Sequence, residues 1–571
     1  MNIHLSRSIA VGLLSAAISV SCSSIPPGGN GVGQNGKDAT PVAAVQLAPG
    51  AQSETRLQNL GVHAFPVSTQ NGQAQLFINQ GLNLAYGFNH AEAGQAFREA
   101  AKLDPALAMA YWGQALALGP NINAPMNPAD EPRALELLKR AESLMAAASP
   151  KEQALIQALK HRYSGSAEDR VANDKAYAEA MREVHRNFPD DSDIALLYVE
   201  SMMDLRPWNY WMRDGRPYEG TDEIVAVTEE VLRRYPEHPA ALHMYIHLIE
   251  PTTTPERAER AADTLMTLMP DAGHMVHMSS HIFQRVGRYT DAVKSNQLAV
   301  AADEHYIDHS HTHGLYPMVY YPHNIHFLWF SATASGQSAL ALESARKTAS
   351  MVDDALLQEM PITALFRVTP YWALARFGHW QEILSEPAPP SFNAFLTGSW
   401  HYVRGLAFVA TKQLSRAEKE LQQLRKIMKN RAALSGTLLS RNTTYEILRI
   451  APEVLAGEIA AARRKFESAI THLERAVRLE DSLAYTEPAE WHYPPRLSLG
   501  AILLKAGHPD EAETVYWEDL KRNRDNGWAL FGLLQALRAQ GKTSDAVVVE
   551  TRFKKAWEHA DITLPASRFK Q

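Results

Sequence analysis

The feature that most constrains this 571-residue chain is a repeat. From about residue 74 onward, apolar residues recur at spacings of three and four, without sustained alternation of period two, which predicts helix almost throughout. On that pattern lies a second period of about 34 residues. The clearest unit runs from Ala74 to Leu107, with Gly81, Ala93, Phe97, Ala100 and Pro105 at positions 8, 20, 24, 27 and 32. The small residue at position 20 recurs as Ala258, Ala292, Ala341, Ala417, Ala469, Ala512 and Ala546. Gly287, Gly336, Gly507 and Gly541 each stand five residues before one of these, and Pro189, Pro236 and Pro270 match position 32. Such a unit holds two helices: small residues let them approach, glycine turns the chain between them and proline ends the second. One unit cannot bury its apolar face alone, so units stack. The expectation is an all-α chain, an α-solenoid of ten or more helix pairs with no sheet beyond incidental pairs. Two stretched intervals, around Pro207–Gly220 and Asp303–Tyr321, are expected as inserted loops on the binding face.

The unit resembles the tetratricopeptide repeat, whose helix pairs stack into a right-handed superhelix. The stretches GLNLAYGFNHAEA, AYWGQALALGPNIN, HMYIHLIE, GHMVHMSSHIFQRVGRY and YPHNIHFLWF are together similar to a widespread group of bacterial tetratricopeptide lipoproteins with a His-rich central segment. That resemblance spans residues 60 to 560. It implies the fold and the place of the site, and no activity.

Ahead of the repeats the chain reads as an export leader and a tether. Arg7 supplies a positive start, and Ile9 to Val20 an apolar run too short to span a bilayer. Ser19, Val20, Ser21 and Cys22 resemble a lipobox, in which the cysteine is lipidated, although Ser19 stands where leucine is usual. A plain secretory signal is the alternative. Residues 1–22 are thus expected to be a lipoprotein signal peptide. Residues 23–55, rich in Gly, Pro, Ser and Gln, cannot repay the entropy of ordering and are expected as a flexible tether. Residues 56–571 form the solenoid. The expected location is the periplasmic face of a bacterial membrane, the outer one by preference. Cys22 is the single cysteine, so cysteine-based metal sites and internal disulfides are excluded. A net charge of −7 gives no nucleic-acid footprint, and no such partner is expected.

The chemistry lies in the histidines. Of 23, 12 fall between His238 and His326. In the repeat register, His243, His247 and Glu250 take positions 5, 9 and 12 of one unit. His274, His277 and His281 take positions 2, 5 and 9 of the next, and His323 and His326 positions 2 and 5 of the one after. At 100° per residue, positions 2, 5, 9 and 12 fall within roughly 80° of each other on the first helix, the stripe that in tetratricopeptide superhelices lines the concave groove. Glu200 and Asp204 extend it at positions 9 and 13 of the preceding unit. Imidazoles three or four apart on one face are how helices present ligands to a metal ion. The expected metal ligands are therefore His243, His247, His274, His277, His281, His323 and His326, with Glu200 and Glu250, inside the segment 200–330. Seven imidazoles exceed what one ion takes, so two or more ions are expected. Three His per ion from paired helices resembles the coupled dicopper sites of tyrosinase and haemocyanin on another fold. Copper is favoured; zinc or iron are the alternatives. The alternative role is a groove of histidines that bind an acidic peptide or one another.

His305, His309, His311 and His313 fall in the second insertion, either as a solvated loop or as lid ligands. Trp208, Trp211, Tyr245, Tyr306, Tyr320, Tyr321 and Trp329 are either core or the walls of a substrate pocket. Glu487, Trp491, His492, Tyr493 and Arg496 enter a later unit, where helix capping and substrate binding are equal readings. No P-loop, GxGxxG, HExxH or Ser-His-Asp order is present. The function expected is a metalloenzyme of oxidase or oxygenase type, acting on a small-molecule or peptide substrate in the groove and membrane-held through its lipid anchor. The alternatives are a periplasmic metal carrier and a scaffold that grips a partner's peptide segment.

Overall fold

The computed structural model describes residues 58–569 apart from 311–314 and 439–440. The signal peptide, Cys22, the whole tether, His311 and His313 lie outside the described residues. Within them the chain is all-α, and its only extended pairings are isolated bridges at Asn121 and Ala124, Trp211 and Pro217, and Thr437 and Thr443.

The helices follow in antiparallel pairs: α1 (Gly72–Tyr86) with α2 (His90–Leu103), α3 (Ala108–Leu118) with α4 (Glu131–Leu144), α5 (Pro150–Leu159) with α6 (Arg170–Asn187), and α7 (Ser192–Asp204) with α8 (Thr221–Arg234). Next come α9 (Pro239–Ile249) with α10 (Glu259–Leu268), α11 (Gly273–Val286) with α12 (Tyr289–Ser310), and α13 (Tyr321–Ala334) with α14 (Ser338–Ser350). After the short α15 (Asp354–Glu359) and α16 (Ala364–Arg367), α17 (Thr369–Phe377) pairs with α18 (Trp380–Ser385) and α19 (Ala394–Ala410) with α20 (Leu414–Ile427). The short α21 (Thr444–Leu448) precedes α22 (Ile450–Ala462) with α23 (Phe466–Asp481), α24 (Pro495–Ala506) with α25 (Pro509–Arg522), and α26 (Gly527–Ala539) with α27 (Thr543–Ala556). Each pair packs on the next, the arrangement of an α-solenoid.

The period has a steric cause. Phe97, on α2, is wedged between α1 and α3. A Cβ on Gly81 would meet its ring at 2.7 Å, and one on Gly113 at 2.4 Å. Tyr516, on α25, repeats the device between Gly500 and Gly532, at 2.4 and 2.2 Å. An aromatic ring on the second helix thus fills space that glycine leaves open on the two flanking first helices. Helix starts are fixed locally, as where Asn71 accepts from the Gln73 and Ala74 amides and Ser149 forms a capping box with Glu152.

Two departures from the sequence reading bear on the site. Among the described residues the second insertion is helical on both sides: α12 runs for 22 residues to Ser310, and a π-helical turn, Tyr316–Tyr320, leads into α13. His305 and His309 therefore stand on a helix rather than a loop. The later units also come back onto the middle of the chain. The Tyr485 hydroxyl donates to Glu250 (3.2 Å), Arg524 pairs with Glu256 (2.9 Å), and the Trp528 indole donates to the Thr333 carbonyl (2.9 Å). The histidine stripe is consequently covered: His243, His247, His274, His277, His281 and His326 are all buried.

Candidate metal centre

Six of the seven stripe histidines come together as two sets of three. His243 and His247 of α9 join His274 of α11, and His277 and His281 of α11 join His323 of α13. Within each set one nitrogen per ring lies within 4.8 Å of the others. The sets adjoin: the His274 and His277 ring centres are 5.9 Å apart, as are those of His247 and His281. Neighbouring first helices at solenoid spacing do this because residues 4 apart on one helix flank a residue reaching from the next.

The hydrogen bonds fix which nitrogen each ring has to offer. Nδ1 of His243 donates to the Tyr86 carbonyl (2.6 Å) and Nδ1 of His247 to Glu250 (3.1 Å). Nδ1 of His281 donates to the other Glu250 oxygen (2.7 Å). The Asn296 amide nitrogen donates to the Ala292 carbonyl, so its oxygen is the acceptor for Nδ1 of His277 (2.7 Å). With every Nδ1 proton engaged, the Nε2 atoms of neutral rings present lone pairs. Those of His243 and His247 face each other at 3.1 Å, and those of His277 and His281 at 2.9 Å. In the first pair both rings are neutral, and two lone pairs at that distance repel unless a cation lies between. In the second, His281 holds an extra proton toward His277, which a bound ion would displace. Two nitrogens each about 2.0 Å from one tetrahedral ion lie roughly 3.3 Å apart, close to both separations. His274 adds a buried ring with neither nitrogen hydrogen-bonded. The residues fit a transition-metal ion in each set.

The charges agree. Burial, reinforced by the other imidazoles, pushes His243, His274, His277 and His323 well below the ordinary histidine range, so these rings are neutral. His281 is opposite in sign: burial would lower it, but the carboxylates of Glu250 and Glu487 push it up to about 10. Glu250 stays ionised; burial opposes this, and His281 and His247 overcome it. Glu487 is pushed well up by burial and then by the Glu250 charge. Glu250 thus bridges the sets from behind, orienting one ring of each, the part that outer carboxylates play at histidine metal sites.

The remaining expected ligands lie elsewhere. His326, three residues past His323 and so about 60° round α13, stacks on Trp329 with ring centres 5.2 Å apart and joins neither set. Glu200 sits beside Asp204, which is paired with the buried Arg162, and is pushed up to about 8 by burial and Asp204. The aromatic residues divide. Trp208 meets His247 edge-on at 5.1 Å and Tyr320 meets His274 at 4.8 Å. Tyr245, Tyr306 and Tyr321 turn away to Glu229, Glu92 and Glu304.

Three residues escaped the sequence reading in this role. Phe88 packs on His243 at 4.5 Å. Asn296 occupies position 24, where the first unit has Phe97; a polar residue at a wedge position of the His-rich unit was a readable signal. Glu487 reaches Nδ1 of His281 at 2.8 Å from far downstream, and no local pattern announces that. Beside it a cavity of about 640 Å³, lined by Trp208, Trp211, His281, Phe327, Tyr485 and Glu487 among others, opens against the second set.

No protein-family model and no curated protein matches the chain. Among solved structures it is similar to a human IFIT1 dimer with m7Gppp-AAAA, at 14% identity over 78% of this chain and 90% of that one, with a TM-score of 0.33. It is also similar to the APC/C hetero-tetramer Cut9–Hcn1, at 12% identity over 85% and 76%, with a TM-score of 0.29.

Proposed function

We propose that this chain is a dinuclear metalloenzyme, an oxidase in which His243, His247 and His274 hold one copper ion and His277, His281 and His323 a second. The observation that carries this reading is the convergence of three imidazoles in each of two adjoining sets, with the Nε2 atoms of the neutral His243 and His247 facing each other at 3.1 Å and both their Nδ1 protons spent elsewhere. All-imidazole sets suit copper, and two adjoining copper ions supply two-electron redox chemistry with dioxygen. The protein's own part is orientation and proton handling. Glu250 fixes one ring of each set. Glu487, a buried acid at the cavity wall, is placed to pass a proton between substrate and the Glu250–His281 pair. The cavity falls in the range of small-molecule sites, about 300–1,000 Å³, and its aromatic walls favour a small organic reductant. Two substrate molecules would each give up two electrons and two protons, and one dioxygen would leave as two waters. Deep burial of the imidazoles weighs against a peptide-gripping groove and against rapid exchange by a carrier. We place the protein outside the cytoplasm, tethered through Cys22.

The full chain, stripped and reloaded with copper, should hold two ions in the triads and consume dioxygen in the presence of a small phenolic or other organic reductant. His277→Ala with His281→Ala should remove at least one ion and the dioxygen uptake. Retention of both ions by that variant refutes the site. Two tightly bound ions with no uptake from a broad set of reductants refute the oxidase.

A further inference from the structure

A third convergence of ligand groups lies outside the two triads. His63 comes from the stretch ahead of α1, Asp193 is the second residue of α7, and His238 caps the start of α9. Their ligand atoms lie within 4.8 Å of one another. Nε2 of His63 is 2.9 Å from Asp193 Oδ1, Nε2 of His238 is 3.4 Å from the same oxygen, and the two ring centres are 4.3 Å apart. The stretch that brings His63 is pinned: the Asn83 side chain donates to the His63 carbonyl (3.0 Å), and the Asn79 oxygen accepts from the Phe65 amide (3.0 Å).

The group is more than a buried aspartate with partners. Asp193 is already served by His63 and by the Tyr86 hydroxyl, which donates to it at 2.8 Å. His238 is then superfluous as a donor. Its side chain is 2% exposed, yet neither ring nitrogen makes a hydrogen bond. A buried ring whose Nδ1 has no partner and whose Nε2 meets Asp193 outside hydrogen-bond geometry is costly to keep, and one aimed at a carboxylate and a second imidazole has the geometry of a ligand. Burial would lift Asp193, but the two histidines hold it far below the usual carboxylate range, so it is charged at any ordinary pH. On the outer side a cleft of about 440 Å³, lined by Gly61, Val62, Ser192, Arg234 and Glu237 among others, opens against His63 and Asp193.

We propose that His63, Asp193 and His238 hold a single divalent transition-metal ion of the zinc, iron(II) or cobalt(II) class, with open coordination positions toward the cleft. Two imidazoles and one carboxylate on one side of an ion, with the other side free, is an arrangement that suits these metals and admits an outside ligand. The site is separate from the two triads and does not depend on their metal content. Tyr86 links the two regions, because its hydroxyl holds Asp193 while its carbonyl holds Nδ1 of His243.

The test is a cobalt(II) titration of the metal-stripped full chain, read by visible absorption and by elemental analysis. His63→Ala should bind one cobalt fewer than the parent, whatever number the triads take, with the helical far-ultraviolet signal unchanged. Its position ahead of α1, outside the helix pairs, favours folding of that variant, and His63→Gln is read in the same way if the alanine variant does not fold. If the triads hold nothing, the parent binds one cobalt and the variant none, which still supports this site. Equal stoichiometry in parent and variant, with affinities within twofold, overturns it.

Discussion

The region α9–α13 and the region α22–α26 are built on one plan and filled with opposite materials. Each keeps a small residue at the helix crossing, Ala258 and Ala292 in the first and Ala469 and Ala512 in the second, all buried. In the second region the stripe positions of the first helices are mostly apolar, as with Ala451, Val454, Leu497, Ala501 and Trp528. In the first, the same faces carry imidazoles. One region is stabilised by apolar area removed from water, about 25 cal/mol per Å². The other, beside its own apolar core, buries polar rings that recover part of their desolvation through hydrogen bonds and would recover more with bound cations. A shared backbone period therefore does not mean a shared source of stability.

The largest expected consequence is that metal removal separates the two regions. With free metal about a thousand times above its dissociation constant, binding contributes roughly 4 kcal/mol. Stripping copper from the full chain should lower amide-exchange protection in α9 and α11 on that scale and leave α22–α26 as they were. Equal loss everywhere, or none, breaks the comparison. The converse change is Leu455→Ala, at a fully buried site packed against Gly405. It should cost about 2–5 kcal/mol in denaturant unfolding while the bound-metal count stays the same.

A third test uses pH in the apolar region. Asp519 is buried on α25 and pushed up to about 6, by burial first, against Asn523 and nearby arginines. Its Oδ1 accepts from the Asn523 amide at 3.1 Å, and its Oδ2 has no partner. A carboxyl raised in the folded state binds its proton more tightly there than in the unfolded chain. Its stabilising effect is complete below the unfolded value near 3.8 and is lost as pH rises toward 6. The loss is roughly 3 kcal/mol. Asp519→Asn should flatten that part of the stability profile, seen as urea midpoints at pH 4 and pH 6.5 that differ less than in the parent.

The sequence carried the plan of both regions and the imidazoles of the first, because helix pairing and ligand spacing along one helix are local and periodic. His243 and His247, or His277 and His281, meet simply by standing four apart. It did not carry what closes the site. Tyr485 meets Glu250 from 235 residues away, and Glu487 arrives with it; such contacts depend on how far the stack of pairs turns, which no single unit specifies. The same limit explains the second insertion, where a helical extension and a π-turn replaced a presumed loop. His63 was overlooked because its partners lie on two other units and none of the three shares a helix.

The smallest expected effect concerns His326, and it tests where the polar region ends. This ring stands one turn beyond His323 yet belongs by its surroundings to the apolar material: it stacks on Trp329 and meets Phe366 edge-on at 5.7 Å. Burial pushes it down to about 3, and neither nitrogen has a partner. Replacing an unpaired buried polar group by an apolar one of similar size removes a desolvation cost, against which stands the lost ring stacking on Trp329, so the net change is near neutral or slightly stabilising. His326→Leu should shift stability by less than about 1 kcal/mol and leave copper content and dioxygen uptake unchanged, whereas His323→Leu should lose an ion. If His326→Leu also loses an ion, the division of the stripe into two sets of three is wrong, and the metal centre extends one turn further into the solenoid.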